Sequence, residues 1–260
     1  RPGTRPRSPP HRAANAASDA VVTWPEGNGW FVSRLAAPMG ERIRRSCAVW
    51  NVEPSGDGVA VDYFDPAAGR STRLQCRGLI WAAPHFIARR VIRPWREGAT
   101  DDASAIYSPW MVANLTLNSV PRGRGLESAW DNVIYGSRSL GYVVATHQDL
   151  RPVPGKTVIT YYLPLDEAEP AVARQAALSR THREWCDQIF ADLGQAHPDL
   201  ADQVSRLDVC VWGHAMVRPV PGFIWGGARA RMQSALPNIV LAHSDLSGIS
   251  IFEEAYTRGV

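Results

Sequence analysis

The residues best suited to chemistry lie near the end of the chain, where Asp245 follows a short apolar stretch at residues 239–242. The stretch predicts a strand, and a polar turn leads to the aspartate. Gly248 permits close backbone approach, and a helix is predicted to begin near Ser250. The N–H groups at such a helix start could face a phosphate, while Asp245 accepts a hydrogen bond from a ligand hydroxyl. An ordinary loop with Asp245 as a turn residue explains the same pattern.

Other candidate constellations fail on spacing or are missing from the sequence. Asp101 and Asp102 are adjacent, and adjacent side chains on a turn diverge, so we expect a solvated loop rather than a pair of catalytic carboxylates. The four cysteines show no C-x-x-C spacing, so neither a metal site nor a disulfide framework is expected. The hydrolase, zinc-protease and Walker motifs do not occur.

The composition is that of a globular protein, with 45% hydrophobic and 20% charged residues in 260. The net charge of +3 is dispersed, and no basic stripe alternates with aromatic residues, so a nucleic-acid partner is not expected. No apolar run approaches the roughly 18 residues of a membrane span. Lys156 is the single lysine against 27 arginines. We interpret this bias mainly as a GC-rich coding effect and only secondarily as anion recognition.

The front of the chain has the pattern of a helix followed by a hairpin. Gly56-Asp57-Gly58 suits a tight turn, because glycine and aspartate tolerate positive φ. The pattern predicts a helix over residues 30–35 and strands over residues 43–52, 59–64 and 74–81.

The middle of the chain predicts further strands and one long amphipathic helix. That helix covers residues 169–193, with apolar residues at helical spacing. A shorter helix is predicted over residues 86–91. Strands are predicted over residues 110–117, 141–146, 157–163 and 207–212.

Four stretches, taken in order, resemble the FAD-dependent amine oxidase superfamily, which includes monoamine, polyamine and protoporphyrinogen-oxidase-like enzymes. Their order is similar to the family's Gly-rich segment, adenine-side strand, strand that ends at an Ala-Pro turn, and closing flavin motif. They are residues 24–35, residues 47–52 with the hairpin, residues 79–84 and residues 238–255.

The resemblance implies a mixed α/β (α+β) fold with two domains. Residues 19–84 and 237–260 would join in space as a partial, Rossmann-like FAD/NAD(P)-binding domain. Residues 85–236 would form an inserted substrate-binding domain, built on a mixed β-sheet plus helices. Residues 1–18 lack a hydrophobic period and are expected to be a disordered or connecting segment.

The cofactor implied by the resemblance is FAD, and several positions match the family's contacts with it. Val49 matches the strand residue whose backbone pairs with adenine, and Ala83 and Pro84 end the strand beside the adenosine. Asp245 matches the acid of the family's Ala-Gly-Asp turn. The implied cofactor-binding set is Val49, Ala83, Pro84, Ser244, Asp245, Ile251 and Phe252. Glu253 also matches the family, and its charge favours the start of a helix in any case.

The resemblance also implies candidates on the substrate side of the flavin. They lie in an aromatic segment rich in proline and glycine, residues 211–226. Trp212, His214 and Trp225 are the candidate catalytic residues, and Phe223 is a further residue that could line the pocket. A core strand followed by a proline turn explains the same segment.

The chain departs from the family at three points. The Ala-Gly-Asp turn is replaced by Ala242-His243-Ser244-Asp245, in which the histidine and serine could bind phosphate or ribityl oxygens, or only fill space. The family's lysine is missing from residues 110–117, and Ile251 stands where some members have an aromatic residue. An amine substrate is therefore less firmly implied than the flavin.

The expected function is hydride transfer from an organic substrate, an amine among the candidates, to FAD. The Gly-x-Gly-x-x-Gly motif is missing from these residues, so the chain resembles the C-terminal portion of such an enzyme. The alternative is a non-catalytic remnant or substrate-domain module that no longer binds flavin. We expect a small-molecule substrate, no transmembrane segment and a cytoplasmic location, with a homodimer as one allowed state.

Overall fold

The computed structural model describes residues 24–98, 105–124, 129–148, 155–233 and 236–260. The expected connector at residues 1–18 and the pair Asp101-Asp102 lie outside the described residues. The longest helix described has 12 residues. In the described ranges, no helix is long and apolar enough to cross a lipid bilayer.

The front of the chain folds into one helix and an antiparallel meander. The helix α1 spans Asn28–Ala36, and a 3-10 helix at Ala37–Arg42 follows it, so the next strand begins later than the sequence predicts. The hairpin turn is confirmed, with φ of 56° at Gly56. The three strands pair in the order β1-β2-β3. They are β1 Ala48–Ser55, β2 Gly58–Asp65 and β3 Arg70–Cys76.

The single strand predicted over residues 74–81 is wrong, because the structure has two strands there in different sheets. The strand β3 ends at Cys76, opposite Val59, where its partner β2 begins. The chain then passes Gly78 and enters β4, Leu79–Trp81. This second strand pairs in parallel with Ile239–Leu241 near the end of the chain.

Two helices follow the Ala-Ala-Pro turn and cover the meander. They are α2 at His85–Val91 and α3 at Arg93–Arg96. Val52 forms a parallel bridge with Ile92, which is fully buried. Trp81 and Ile239 belong to the same buried cluster as these residues, so the first core includes both the front and the end of the chain.

The middle of the chain builds a five-stranded sheet in the order β6-β7-β8-β5-β9, and every neighbouring pair is antiparallel. The expected mixed sheet is wrong in this respect. The strands β8 and β9 do run parallel, but β5 lies between them, so the helical crossover skips one strand. The strands are β5 Tyr107–Leu117, β6 Asp131–Asn132, β7 Gly141–Val144, β8 Thr157–Pro164 and β9 Val204–Val217.

The long helix predicted over residues 169–193 is also wrong, because it is two helices. Arg180 is extended (φ −74°, ψ 140°) between α4, Pro170–Ser179, and α5, His182–Leu193. Thr181 caps α5 through a reciprocal pair of hydrogen bonds with Glu184, which satisfies N–H groups at the helix start. The short helix α6, Leu200–Gln203, precedes β9.

The end of the chain has the predicted strand, polar turn and helix. The helix α7 at Gly227–Met232 leads to the strand β10 at Ile239–Leu241. A 3-10 turn at Ser244–Ser247 follows, and α8 spans Phe252–Gly259, two residues later than expected. A further buried cluster, which contains Tyr107, Val217, Phe223 and Leu246, joins this turn to the antiparallel sheet.

Candidate functional site

Asp245 lies at a buried junction of three segments. Its side chain is 9% exposed. The carboxylate oxygen Oδ2 accepts a hydrogen bond from the Tyr107 hydroxyl at 2.6 Å and one from the His85 backbone N–H at 2.9 Å. Hydrogen bonds to a charged acceptor are the strong ones, so this carboxylate ties the turn to both β5 and α2.

The carboxylate also completes the start of α2. Pro84 is the N-cap residue and supplies no side-chain cap. Asp245 lies 160 residues away along the chain, yet it accepts from the first N–H of the helix and places a negative charge at its positive end. Asp245 therefore has a structural role within the protein, beside the cofactor role expected for it.

His243 lies next to Asp245 and is buried, with 5% of its surface exposed. Neither ring nitrogen has a hydrogen-bond partner among the described residues. Its Nδ1 is 3.8 Å from Asp245 Oδ2, and its ring centroid is 5.8 Å from that of His85. Burial lowers the pKa of His243 to about 4, against the opposing effect of Asp245, so the imidazole is neutral near pH 7. A neutral ring can offer one donor and one acceptor to a ligand.

The start of α8 is open to contact from outside the chain. Ile251 and Phe252 are about half exposed, and no side chain caps the first turn. Glu253 lies in that turn, where its charge favours the helix. The ring of Phe252 packs edge-on against Phe31 of α1, with centroids 5.2 Å apart.

The remaining candidate cofactor residues occupy two separate places. Val49 lies on β1, an edge strand of the meander, beside a register shift, and is 41% exposed. Ala83 and Pro84 connect β4 to α2, so Pro84 directly precedes the junction at His85. Ser244 is half-buried in the turn before Asp245.

Of the candidate catalytic residues, only His214 adjoins the junction. Its ring stacks on Phe86 with centroids 4.3 Å apart and meets the Tyr107 ring edge-on at 6.0 Å. Burial, then the nearby Arg174 and Arg90, lower the pKa of His214, which favours the neutral ring.

Among the described residues, neither Trp212 nor Trp225 makes a ring contact with His214. Trp212 is 56% exposed and Trp225 is 92% exposed. Within the described ranges, neither ring takes part in an aromatic contact or a hydrogen bond. Phe223 is a core residue, and a Cβ at Gly248, where φ is 76°, would lie 2.9 Å from its ring.

Sequence reasoning missed His85, Phe86 and Tyr107, which surround Asp245 and His214. His85 and Phe86 lie at the start of a helix, and Tyr107 lies at the start of a strand. All three are far from Asp245 in sequence, so no regular spacing links them to it. A clearer signal is the run of four arginines at residues 89–96, which the overall excess of arginine over lysine hides. In the part of the chain that the structure describes, no group of three or more His, Cys, Asp or Glu side chains could hold a metal ion.

Solved structures of flavin amine oxidases have the same fold. Cyclohexylamine oxidase from Brevibacterium oxydans IH-35A matches 89% of this chain and 50% of its own, with a TM-score of 0.59 and 14% identity. A variant of putrescine oxidase, from a redesign of cofactor binding, matches 90% of this chain and 51% of its own, with a TM-score of 0.61 and 13% identity. No protein-family model and no curated protein matches the chain.

The fold expected from the resemblance to the FAD-dependent amine oxidase superfamily is shared with these solved structures. The mixed α/β fold class is confirmed. This chain spans about half the length of the solved structures that it matches.

Proposed function

We propose that this chain forms the flavin- and substrate-facing part of an FAD-dependent oxidoreductase. The reaction is hydride transfer from an organic substrate, an amine among the candidates, to the flavin. The observation that carries the proposal is the buried junction of Asp245, His85 and Tyr107, which lies in a fold shared with flavin amine oxidases. When bound, FAD supplies the hydride acceptor, and the protein supplies binding and orientation.

The residues around the junction fit a polar cofactor. His243 keeps two buried ring nitrogens that have no hydrogen-bond partner in the described part of the chain, which costs free energy unless a ligand meets them. Gly248 has positive φ and lies in a tight contact where a side chain would collide with Phe223. The first turn of α8 after Ile251 lacks a side-chain cap and carries the positive end of the helix dipole.

The roles that we propose for single residues are those implied by the family resemblance. Asp245 accepts a hydrogen bond from a ribityl hydroxyl, and Ser244 donates one to a ribityl or phosphate oxygen. The N–H groups near Ile251 and Phe252 face the anionic side of the reduced flavin. Val49, Ala83 and Pro84 serve the adenosine side, in a partial Rossmann-like domain of residues 19–84 and 237–260. His214 faces the substrate from the domain of residues 85–236, and its lowered pKa suits a neutral donor or acceptor.

Trp212 and Trp225 are proposed to line the substrate side together with His214. Both indoles are exposed, and aromatic side chains typically line concave ligand sites. A substrate or flavin ring that lies against them would remove their apolar surface from water.

The first test is the absorbance spectrum of the full native gene product. After incubation with FAD and removal of free FAD, we expect flavin bands near roughly 370 and 450 nm. A protein that folds but retains no flavin would refute the oxidoreductase proposal. That result would favour the non-catalytic alternative, which the two protein donors to Asp245 also allow, since they satisfy its carboxylate without a cofactor.

The second test replaces the carboxylate of the junction. Asp245→Asn keeps the shape of the side chain but removes its charge, and we expect FAD retention to fall about tenfold or more. Asp187→Asn, at an exposed position on α5, is the matched control and should retain FAD as the parent protein does. If Asp245→Asn folds and retains FAD equally well, the cofactor role of Asp245 is wrong.

A homodimeric state and a cytoplasmic location are also proposals, and each has its own test. A homodimer would appear in light scattering at twice the mass of the gene product. Fractionation of the native host would place the protein in the cytoplasm if that expectation holds.

A further inference from the structure

A cavity of about 570 Å³ opens beside the junction. It lies between α2, α3, the start of β5, the end of β9 and the start of α4. His85 and Tyr107 line it and also donate hydrogen bonds to Asp245. The cavity therefore shares a wall with the proposed cofactor site.

Among the described residues, four arginines line this cavity against one carboxylate, that of Glu169. Arg174 reaches it from α4 and is held by a 2.7 Å hydrogen bond from its Nε to the Gly213 carbonyl. Arg96 donates to the side-chain oxygen of Asn51 at 3.1 Å. The other two are Arg89 and Arg90, at the end of α2.

These arginines differ from three exposed arginines elsewhere in the chain that are paired with acids. Arg73, Arg93 and Arg206 each form an ion pair with a carboxylate at 2.7–2.8 Å. Among the described residues, no carboxylate forms an ion pair with Arg90, Arg96 or Arg174. Positive charges gathered in a concave site repel one another, and an anion bound between them offsets that repulsion.

Aromatic rings also line the cavity. The stacked rings of Phe86 and His214 present a flat surface, and Tyr107 meets both of them edge-on. His214 is half-buried beside Arg90 and Arg174. An uncharged imidazole there adds no further repulsion and leaves the wall suited to an organic group.

We infer that this cavity binds an organic carboxylate, with the carboxylate group on Arg90 and Arg174 and the carbon skeleton against Phe86 and His214. Guanidinium groups match the planar carboxylate with paired N–H donors. Binding of the carboxylate does not depend on the proposed function. Only the identification of this ligand as the substrate that faces the flavin rests on it. It deepens that function by adding an acidic group to the substrate class.

Binding can be measured without flavin, by calorimetry on the full native gene product. The probes are sodium phenylacetate, its neutral analogue phenylacetamide, and inorganic phosphate. We expect phenylacetate to bind at least about tenfold more tightly than phenylacetamide, and its affinity to fall as salt is added. Equal affinity for acid and amide would overturn the inference. Tighter binding of phosphate would also overturn it, because the cavity would then be a phosphate site.

Variants locate the contact. Arg90→Gln changes an exposed side chain and should leave folding intact, and Arg174→Lys keeps the charge but loses the planar fork. Each should weaken phenylacetate binding by about tenfold. The control Arg206→Gln lies in an exposed ion pair on β9 outside the cavity and should bind as the parent does. Unchanged binding by folded Arg90→Gln and Arg174→Lys would refute the assignment.

The two proposals fail separately. Phenylacetate binding without any FAD retention would leave the carboxylate site standing and remove the flavin function. FAD retention with no carboxylate preference would do the reverse.

Discussion

The antiparallel sheet of β5–β9 and the parallel pair of β4 and β10 differ in how completely apolar residues of their strands are buried. In the first region, Leu115, Leu117 and Ile159 have no exposed surface. In the second, Ile80 is 71% exposed and Val240 is 62% exposed, although both lie at the centre of their strands. The first region packs these residues into a buried cluster, whereas the parallel pair has one face covered and one face open to solvent.

The difference follows from what covers each sheet. The helix α5 lays Trp185, Ile189 and Leu193 onto the antiparallel sheet. Parallel strands are normally covered on both faces, which is why they read as continuous apolar runs. The strands β4 and β10 have that composition, Leu-Ile-Trp and Ile-Val-Leu, but only one face lies against a described core. Stability should therefore depend on the first region far more than on the open face.

The largest expected effect tests this contrast directly. Leu115→Ala removes a fully buried side chain, and we expect a loss of about 2–5 kcal/mol in the free energy of unfolding. Ile80→Ala, at an exposed position, should change it by no more than about 0.5 kcal/mol. Urea unfolding followed by circular dichroism measures both. A comparable loss for the two variants would mean that the open face is covered in solution.

An intermediate effect concerns pH and the buried His243 beside β10. The pKa of this histidine is lowered to about 4 in the folded protein, so the folded state binds its proton less readily than the unfolded state does. The contribution of the neutral His243 to the free energy of unfolding is fully present above the unfolded pKa of about 6.5. It is lost as the pH falls through about 4. We expect a loss on the order of 1–3 kcal/mol in the free energy of unfolding across that window.

A non-titrating variant provides the comparison. His243→Phe keeps a ring at this buried position and should flatten the pH dependence between about 6.5 and 4. The groups that face the ring are Asp245, His85 and Arg258, and they are unchanged in this variant. An identical slope in both proteins would contradict a buried neutral histidine.

The smallest effect lies in the antiparallel region. Thr181→Ala removes the cap of α5, and we expect a loss of about 1 kcal/mol, measured by the same urea unfolding. Glu184→Gln retains a capping-box residue and should lose less. If Thr181→Ala were as damaging as Leu115→Ala, the stability of this region would rest on its helix start rather than on its core.

Local elements were largely predictable from the sequence, because their signals are local. The Gly56-Asp57-Gly58 turn and the strand, polar turn and helix after residue 239 are examples. The breaks at Gly78 and Arg180 were missed, since apolar periodicity continues across both and only pairing or capping interrupts it. The antiparallel pairing of the middle sheet was not predicted. Whether two strands run parallel or antiparallel depends on which strands are neighbours, and no single stretch of sequence encodes that.

The candidate site was predictable only in part for the same reason. Asp245 and His214 were identified from the motif and the resemblance. Their partners Tyr107, His85 and Phe86 come from segments more than 100 residues away from one or the other, and no spacing links them. The arginines of the cavity were visible as a local run, but their shared concave wall appears only when α2 and α4 meet β9.

The pairing of β4 with β10 has a consequence for the order in which the chain assembles. Leu79 and Ile239 are partners although 160 residues separate them, so this contact closes a loop that contains the whole antiparallel sheet. The entropic cost of closing so long a loop becomes much smaller once that sheet has formed, because the sheet brings the two ends of the loop together. We therefore expect the junction at Asp245 to form late in folding and to open early, so that its amides exchange with deuterium before those of β5 and β8.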